Sequence, residues 1–197
     1  MYFYNEEDKN EKPAAADKNR IEENLSFKSR FVFIYGGIDH AMAKSTCERL
    51  IALSQESAEP ITVVISSPGG HVESGDAIHD MIKFVRAPVT IIGTGWVASA
   101  GAHIFLAVPA ARRLCMPNTR FMIHQPAGGA GGQASDMVIQ AREILKIRER
   151  LAQVVSDETG HPLDKVMLDM ERDYWMTADE AIKYGIVSRI VRNQSEL

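Results

Sequence analysis

The chain has 197 residues, is 45% hydrophobic, and carries 22 basic and 26 acidic residues for a formal net charge of −4. These numbers suit one globular domain with a sizeable core, and without a basic run they argue against a nucleic-acid partner. Two cysteines, Cys47 and Cys115, fit neither a disulfide framework nor a metal-binding spacing, so we expect buried thiols in the reducing cytoplasm.

The first 20 residues are rich in Glu, Asp, Lys and Asn and predict a mobile tail. Their acidic beginning lacks the basic start and apolar run of a secretory signal, so we expect none. No internal repeat and no linker divides the rest of the chain. Residues 21–197 are therefore predicted to form a single domain.

Strand and helix patterns alternate along this domain. Short β-branched apolar runs predict buried strands, and apolar residues that recur every three to four positions predict helices. Asp39 and the capping box of Thr177 and Glu180 mark helix beginnings, and Gly185 marks a helix end. Predicted strands cover 31–35, 61–65, 89–92, 113–116, 120–124 and 186–191, and predicted helices cover 39–53, 73–85, 99–107, 136–157 and 177–185. The alternation predicts an α/β fold.

An uncharged stretch from Ala87 to Ala111 is long enough to cross a bilayer. Gly93, Gly95 and Gly101 interrupt it, however, and a proline stands near each end. We therefore predict a buried strand, a turn and a fully buried helix in this stretch, and no membrane span.

Ser99 stands at the predicted start of the buried helix, between Ala98 and Ala100. A hydroxyl at that place lies beside the free N–H groups of the first helical turn, and small neighbours leave space for a substrate carbonyl. These features make Ser99 a candidate nucleophile. A simple N-cap role for the same serine stays open at this point.

His124 and Asp173 are the candidate base and the candidate carboxylate that orients it. His124 follows a predicted strand, where an imidazole can face a cleft, and Asp173 precedes two bulky aromatic residues that can partly bury its carboxylate. Spacing alone leaves rivals for both roles. The rival histidines are His40, His71, His79, His103 and His161, and the rival carboxylates are Asp169, Glu171 and Asp179.

The segment 66–70, Ser-Ser-Pro-Gly-Gly, is a candidate source of an oxyanion hole. Its two glycines allow positive φ angles and a close approach of the backbone to a ligand. The N–H groups of Gly70 and Ala100 are then two candidate donors to a developing oxyanion. A tight turn without a catalytic role explains the glycine pair equally well.

Several motifs in a fixed order resemble the proteolytic subunit of the ATP-dependent Clp protease, ClpP. They are SSPGG at 66–70, ASAGA at 98–102, PNTR at 117–120, MIHQP at 122–126 and ERD at 171–173, with a further match from GQA at 132–134 to AREIL at 141–145. The resemblance extends over about residues 27–191. It implies a ClpP/crotonase-like spiral of ββα units with a protruding handle at about 125–157.

The resemblance also implies the roles of the candidate catalytic residues. It makes Ser99 the nucleophile, His124 the general base and Asp173 the residue that orients His124. It assigns the oxyanion hole to the N–H groups of Gly70 and Ala100. It implies no metal and no organic cofactor.

The resemblance further implies how substrates and subunits bind. Val72 and Ala127 lie where the family pairs with the backbone of an extended substrate, and Glu171 and Arg172 lie where it forms ion pairs between rings. The implied particle is two stacked heptameric rings, homomeric or mixed with another ClpP. An AAA+ unfoldase of the ClpX or ClpA type would feed it unfolded polypeptides, which it would cut to short peptides.

Two features depart from the family pattern. Ala100 stands where the family commonly has Met, a change that keeps the backbone donor and shrinks the pocket wall. The stretch 18–24 is largely charged where typical members have an apolar segment that lines the axial pore and helps to dock the ATPase. The second departure leaves the ATPase partner open and suits a specialised second ClpP.

These observations support three functional hypotheses. The leading one is a self-compartmentalised serine endopeptidase. The second is a regulatory or catalytically silent ring subunit that needs a partner ClpP, and the charged stretch 18–24 motivates it. The third is a crotonase-type acyl-CoA enzyme, which also directs two backbone donors at an oxyanion but needs no serine nucleophile.

Overall fold

The structure, a computed structural model, describes residues 24–25, 27–129 and 131–197. The predicted mobile tail over residues 1–20 lies outside the described residues. The strands are β1 (Phe31–Tyr35), β2 (Ile61–Ser67), β3 (Val89–Ala98), β4 (Arg113–Cys115), β5 (Arg120–Ile123), β6 (Tyr174–Thr177) and β7 (Arg189–Ile190). The helices are α1 (His40–Glu56), α2 (Val72–Phe84), α3 (Ala100–Phe105), α4 (Ala134–Thr159), α5 (Leu163–Asp169) and α6 (Ala178–Tyr184).

A twisted, mainly parallel sheet forms the centre of the fold. Its strands lie in the order β1-β2-β3-β4-β7, and every neighbouring pair in this row is parallel. β5 pairs in parallel with β3, and β6 pairs antiparallel with β5. Parallel neighbours need crossover connections, which α1 and α2 supply between the first three strands.

β3 belongs to two parts of the sheet because it changes partner along its length. Ile91 to Gly93 pair with β4, whereas Trp96 to Ala98 pair with β5. Between these halves the register with β2 shifts, and Gly95 has a φ of +57°. A bulge of this kind bends a strand and re-aims the residues after it. The bend carries the end of β3 towards β5.

The core consists of aliphatic side chains packed between the sheet and the helices. Ile61, Ile65 and Ile91 are completely buried, as the β-branched pattern of β2 and β3 predicts. Phe105 of α3 packs edge-on against Phe121 of β5, with ring centroids 5.1 Å apart. All six residues of α3 are buried, which confirms the predicted buried helix.

Several predicted boundaries are confirmed by their caps. The carboxylate of Asp39 accepts a hydrogen bond from the N–H of Met42 at the start of α1. The capping box of Thr177 and Glu180 is present at the start of α6, and Gly185 ends that helix with a φ of +88°. β1 spans the five residues predicted for it. The uncharged stretch 87–111 includes β3 and α3, and no helix in the described part of the chain is long and apolar enough to cross a membrane.

Other boundaries were predicted wrongly. β3 does not end at Ile92 but continues to Ala98, because the bulge lets it gain β5 as a second partner. The strand predicted over 186–191 is limited to Arg189–Ile190, since the N–H groups of Ile186 and Val187 bond to the carbonyl of Ala181 at the end of α6. α5 and β6 were not predicted.

α4 is the longest helix and corresponds to the predicted handle. Its 26 residues extend about 39 Å at 1.5 Å per residue. Only Ala152 and Val155, both in its second half, are buried. Met137 and Leu145, on the predicted apolar face, are exposed instead. The first half of α4 therefore presents an apolar surface that the rest of the described residues leave uncovered.

Arg113 joins β4 to the end of α4. Its side chain is 1% exposed, and its guanidinium donates to the carbonyl of Val108 at 2.9 Å and to the carboxylate of Glu158 at 2.6 Å. Further bonds run to the carbonyl of Glu158 at 3.1 Å. The buried cation is thus matched by a carboxylate and by carbonyl acceptors, which is the condition for keeping a charge in a core.

Replacing Arg113 should destabilise the fold. In Arg113→Met the carbonyl of Val108 and the carboxylate of Glu158 lose their donor, and we expect the free energy of unfolding to fall by about 3 kcal/mol. Urea denaturation followed by tryptophan fluorescence measures this change. The control is Arg112→Met at the exposed neighbouring position, which should change stability by less than about 0.5 kcal/mol. Equal losses in both variants would contradict the assignment.

Candidate active site

Ser99 lies between the end of β3 and the start of α3, in a backbone conformation that non-glycine residues rarely adopt. Its φ is +57° and its ψ is −122°. Its side chain makes no capping hydrogen bond to α3, so the simple N-cap interpretation is wrong. The hydroxyl instead lies 2.8 Å from Nε2 of His124.

Pairing between β3 and β5 brings Ser99 and His124 together. Ala98 is the register partner of Met122, and both strands run in the same direction, so the residues that follow them emerge at one edge of the sheet. The N–H of Ser99 also donates to the carbonyl of Met122 at 2.9 Å. The contact between hydroxyl and imidazole is therefore set by backbone pairing.

Pairing between β5 and β6 brings Asp173 to the other side of the imidazole. Ile123 is the register partner of Tyr174, and these strands are antiparallel, so the residue after Ile123 faces the residue before Tyr174. Oδ1 of Asp173 lies 2.9 Å from Nδ1 of His124. A carboxylate at this place can hold the proton on Nδ1, an arrangement that would leave Nε2 free to accept the proton of the Ser99 hydroxyl.

Exposure differs between the imidazole and the carboxylate of this series. The side chain of His124 is 23% exposed and that of Asp173 is 62% exposed. The expected partial burial of Asp173 is thus wrong, because Tyr174 and Trp175 are themselves at the surface of β6. Solvent weakens the electrostatic hold of an exposed carboxylate on its partner.

The rival residues have other partners. His71 bonds to Ser74, and Nε2 of His103 lies 3.0 Å from the carboxylate of Asp76. Asp169 accepts from Lys165 and from the hydroxyl of Tyr184. Only His124 contacts the hydroxyl of Ser99 among the histidines of the described residues.

The glycine pair brings a segment of backbone against Ser99. A Cβ on Gly69 would lie 2.6 Å from Cβ of Ser99 and 3.0 Å from its Oγ. Ile38 bonds to the carbonyl of Gly69 and to the N–H of His71, on either side of Gly70. In a parallel bridge this pattern points the polar groups of Gly70 away from Ile38.

The start of α3 supplies the second predicted donor. The first N–H groups of an α-helix have no partner within the helix, and Ala100 is the first residue of α3. The N–H of Ala100 is therefore next to Ser99 in the chain, and it is available to donate a hydrogen bond to a ligand. Gly70 and Ala100 stay our predicted oxyanion donors.

A small cavity of about 40 Å³ lies beside the hydroxyl of Ser99 and the ring of His124. Of the two predicted substrate-binding residues, Val72 lines this cavity and Ala127 does not, although Pro126 directly before it does. Ala100, a predicted oxyanion donor, and His103, a rival for the base, line the cavity too. The sequence had not singled out the other lining residues, which come from separate elements: Ala102, Ile123, Leu151, Val155 and Met170. A larger groove of about 790 Å³ beside β1 contains none of the predicted site residues.

The two residues predicted to form contacts between rings differ in their surroundings. The carboxylate of Glu171 lies 2.5 Å from Nη2 of Arg148 on α4, and its carbonyl accepts from the side chain of Gln125 at 2.9 Å. Arg172 is exposed. Within one chain, Glu171 thus holds the segment before Asp173 against the base of the handle.

The described residues contain no group of three or more His, Cys, Asp or Glu side chains arranged to hold a metal ion. The chemistry that this site offers comes from a hydroxyl, an imidazole and a carboxylate in series. Such a series, next to free backbone N–H groups and a cavity, is typical of hydrolases that transfer an acyl group through a serine.

Comparison with known proteins places the chain within one family of hydrolases. The family model described as Clp protease matches residues 15–194, nearly the whole chain. The chain therefore belongs to the Clp protease family, and its fold and its identity as a proteolytic subunit follow from that membership.

Individual relatives agree with this assignment. The chain is 54% identical to ATP-dependent Clp protease proteolytic subunit 3 of Rhizobium johnstonii, over 98% of this chain and 100% of that protein. It is 45% identical to ATP-dependent Clp protease proteolytic subunit 2 of Pseudomonas aeruginosa, over 87% and 86%. The solved structure of ClpP1 from Listeria monocytogenes superposes with a TM-score of 0.82 at 44% identity, over 90% of this chain and 99% of that one.

The close approach of Gly69 to Ser99 generates a prediction. In Gly69→Ala the new Cβ would collide with Ser99, and the φ of +96° at this position disfavours alanine. We expect peptide cleavage to fall by about 100-fold, because displacement of a reacting group by an ångström has an effect of that size. The rate on a short fluorogenic peptide measures it, with circular dichroism as the check on folding.

The matched control for this variant is Gly37→Ala. No atom lies within 4 Å of a Cβ at Gly37, and its backbone conformation is open to alanine. This control should keep its cleavage rate. A Gly69→Ala variant as active as the control would show that the segment does not hold Ser99 in place.

Proposed function

We propose that the chain is a serine-type endopeptidase in which Ser99 is the nucleophile, His124 the general base and Asp173 the residue that orients His124. The observation that carries this proposal is the unbroken series from Asp173 to His124 at 2.9 Å and from His124 to Ser99 at 2.8 Å. Membership of a family of proteolytic subunits supports it.

The proposed reaction follows from this series. His124 takes the proton of the Ser99 hydroxyl as the oxygen attacks a peptide carbonyl, and Asp173 stabilises the imidazolium that forms. The N–H groups of Gly70 and Ala100 bind the tetrahedral oxyanion, each with an expected effect of about 3 kcal/mol on the barrier. His124 then protonates the leaving amine, and water hydrolyses the acyl-enzyme.

Substrate binding is proposed at the ends of two segments beside the cavity. Val72, the first residue of α2, lines the cavity, and Ala127 follows Pro126, which lines it too. An extended polypeptide between them would gain main-chain hydrogen bonds whatever its sequence. Such binding suits unfolded polypeptides that are cut to short peptides.

Assembly and partner are proposed from the handle and from the relatives. The exposed apolar residues of α4 support contact with further copies, in two stacked heptameric rings with Glu171 and Arg172 near their junction. The relatives are called subunits of an ATP-dependent protease, which supports an AAA+ unfoldase of the ClpX or ClpA type as partner. The numbers 3 and 2 in those names support a ring of this chain alone or one mixed with another ClpP.

A second candidate function is a regulatory ring subunit that is silent without a partner ClpP. The observation that favours it is the exposure of Asp173, since an exposed carboxylate depends on its surroundings to hold an imidazole. The acyl-CoA alternative gains no support from the family to which the chain belongs.

Labelling with a fluorophosphonate tests the proposed nucleophile. We expect intact-mass analysis to show a single adduct on the unaltered chain, because a serine hydroxyl activated by an aligned imidazole reacts covalently with such reagents. The adduct should be absent from Ser99→Ala and from His124→Ala. The control Ser188→Ala, which removes a hydroxyl that bonds to the carbonyl of Arg113 rather than to His124, should be labelled in full.

Each result of this labelling has a defined meaning. Labelling that persists in Ser99→Ala would exclude Ser99 as the nucleophile. A lack of labelling on the unaltered chain, followed by its appearance after mixing with another ClpP, would favour the regulatory subunit.

The exposed apolar face of α4 gives a prediction about assembly. Leu145 is 59% exposed, and a lysine there would remain charged and hydrated, so Leu145→Lys should shift the particle to lower mass by native mass spectrometry. The control is Glu143→Lys, roughly 160° away around the helix at 3.6 residues per turn, which should leave the mass unchanged. Intact assembly of the Leu145→Lys variant would exclude this face as a subunit contact.

A further inference from the structure

His103 is the one polar side chain of α3, the helix that begins directly after Ser99. It is 7% exposed, and it lines the cavity beside Ser99 and His124. The cavity walls contributed by Ile123, Leu151 and the other elements are mainly apolar. A polar ring at this place has no role in the proposed acyl transfer and calls for an explanation.

A carboxylate behind the ring faces one of its nitrogens. Oδ1 of Asp76 on α2 lies 3.0 Å from Nε2 of His103, but too far from the direction of an N–H bond to count as a hydrogen bond, so Nε2 is a buried nitrogen without a hydrogen-bond partner in the described residues. Arg150 on α4 binds the same carboxylate with both terminal nitrogens, each at 2.7 Å. Asp76 therefore stays ionised, with its pKa below the usual value because of the bonds and charge of Arg150 despite partial burial.

The ring itself is neutral near pH 7. Burial, and then the neighbouring His79, lower the pKa of His103 to about 4. A neutral imidazole has one donor and one acceptor nitrogen. A ring lone pair 3.0 Å from an ionised carboxylate oxygen would be repelled, so the tautomer with the proton on Nε2 is favoured, and Nδ1 is left as an acceptor.

Several elements hold the ring in place. His79 of α2 stacks on it with ring centroids 4.4 Å apart and an angle of 11° between the planes. Arg150 is followed on α4 by Leu151, which lines the same cavity. The Asp76 carboxylate on α2 thus binds α4 and lies against His103 on α3, so contacts from two other helices restrict the position of the ring.

We propose that His103 determines specificity, by accepting a hydrogen bond from an uncharged polar substrate side chain, such as that of asparagine, that enters the cavity beside Ser99. This inference rests on the proposed peptidase function of Ser99. A wholly apolar cavity would leave the amide of such a side chain without a partner and would reject it. His103 extends the substrate range of the site to these side chains.

Two peptide substrates that differ at one position test this role. They carry asparagine or leucine, whose side chains have the same number of heavy atoms and the same branching, immediately before the bond to be cut. In His103→Phe we expect kcat/KM for the asparagine peptide to fall about tenfold, the effect of one neutral hydrogen bond. For the leucine peptide we expect a change of less than about threefold, because the apolar walls remain.

The matched control is His79→Phe. It introduces the same ring on the other side of the stack, where the side chain does not line the cavity. We expect it to leave the ratio of the two kcat/KM values unchanged. His103→Gln keeps an acceptor and should retain most of the activity on the asparagine peptide, and His103→Leu is a second apolar variant should His103→Phe fail to fold.

The outcomes separate this inference from the function on which it rests. Fluorophosphonate labelling of every variant first reports whether Ser99 is reactive, independently of the substrate side chain. With labelling intact, an unchanged ratio in His103→Phe and His103→Leu, or an equal shift in His79→Phe, would overturn the role of His103. Absence of labelling on the unaltered chain alone and with another ClpP would overturn the proposed function instead.

Discussion

The pairing of β5 with both β3 and β6 is the constraint on which the candidate site depends. One pairing places Ser99 beside His124, and the other places Asp173 beside His124, so backbone register sets both contacts. The positive φ of Ser99 opposes this arrangement at a cost of about 1–3 kcal/mol. The fully buried α3 and the hydrogen bond from Ser99 to the carbonyl of Met122 hold the residue in that conformation.

The base of α4 is attached to the same site from two directions. Arg148 binds Glu171, two residues before Asp173, and Arg150 binds Asp76 behind His103. Nearly opposite sides of one helical turn therefore contact the segment that carries the exposed carboxylate and the wall of the cavity. Because Asp173 is largely in solvent, its position is set by its backbone rather than by packing of its side chain. The handle is thus part of the structure that positions the site.

The sequence allowed the α/β class and the caps at Asp39 and Thr177 to be predicted, since both depend on local patterns. It also singled out Ser99, His124 and Asp173, but the pattern alone left rivals and only the resemblance to a family ranked them. The extension of β3 to Ala98 and the whole of β6 escaped prediction because both exist through pairing with β5, a contact between distant parts of the chain. The role of His103 escaped for the same reason, since Asp76 and Arg150 approach it from other helices.

The single chain is incomplete as a surface. Leu145 and Met137 on α4 expose apolar area. Phe33 and Tyr35 do the same on β1, the strand at one end of the sheet order. Phe33 and Tyr35 lie on the same face of β1, and Met137 and Leu145 lie about 80° apart around α4 at 3.6 residues per turn. Apolar surfaces of this kind on a chain with a net charge of only −4 favour association over dispersion in water. The helix α4 presents one of these surfaces and also binds Glu171 and Asp76. A subunit that covered the apolar face of α4 would therefore also affect how the residues around Ser99 are positioned.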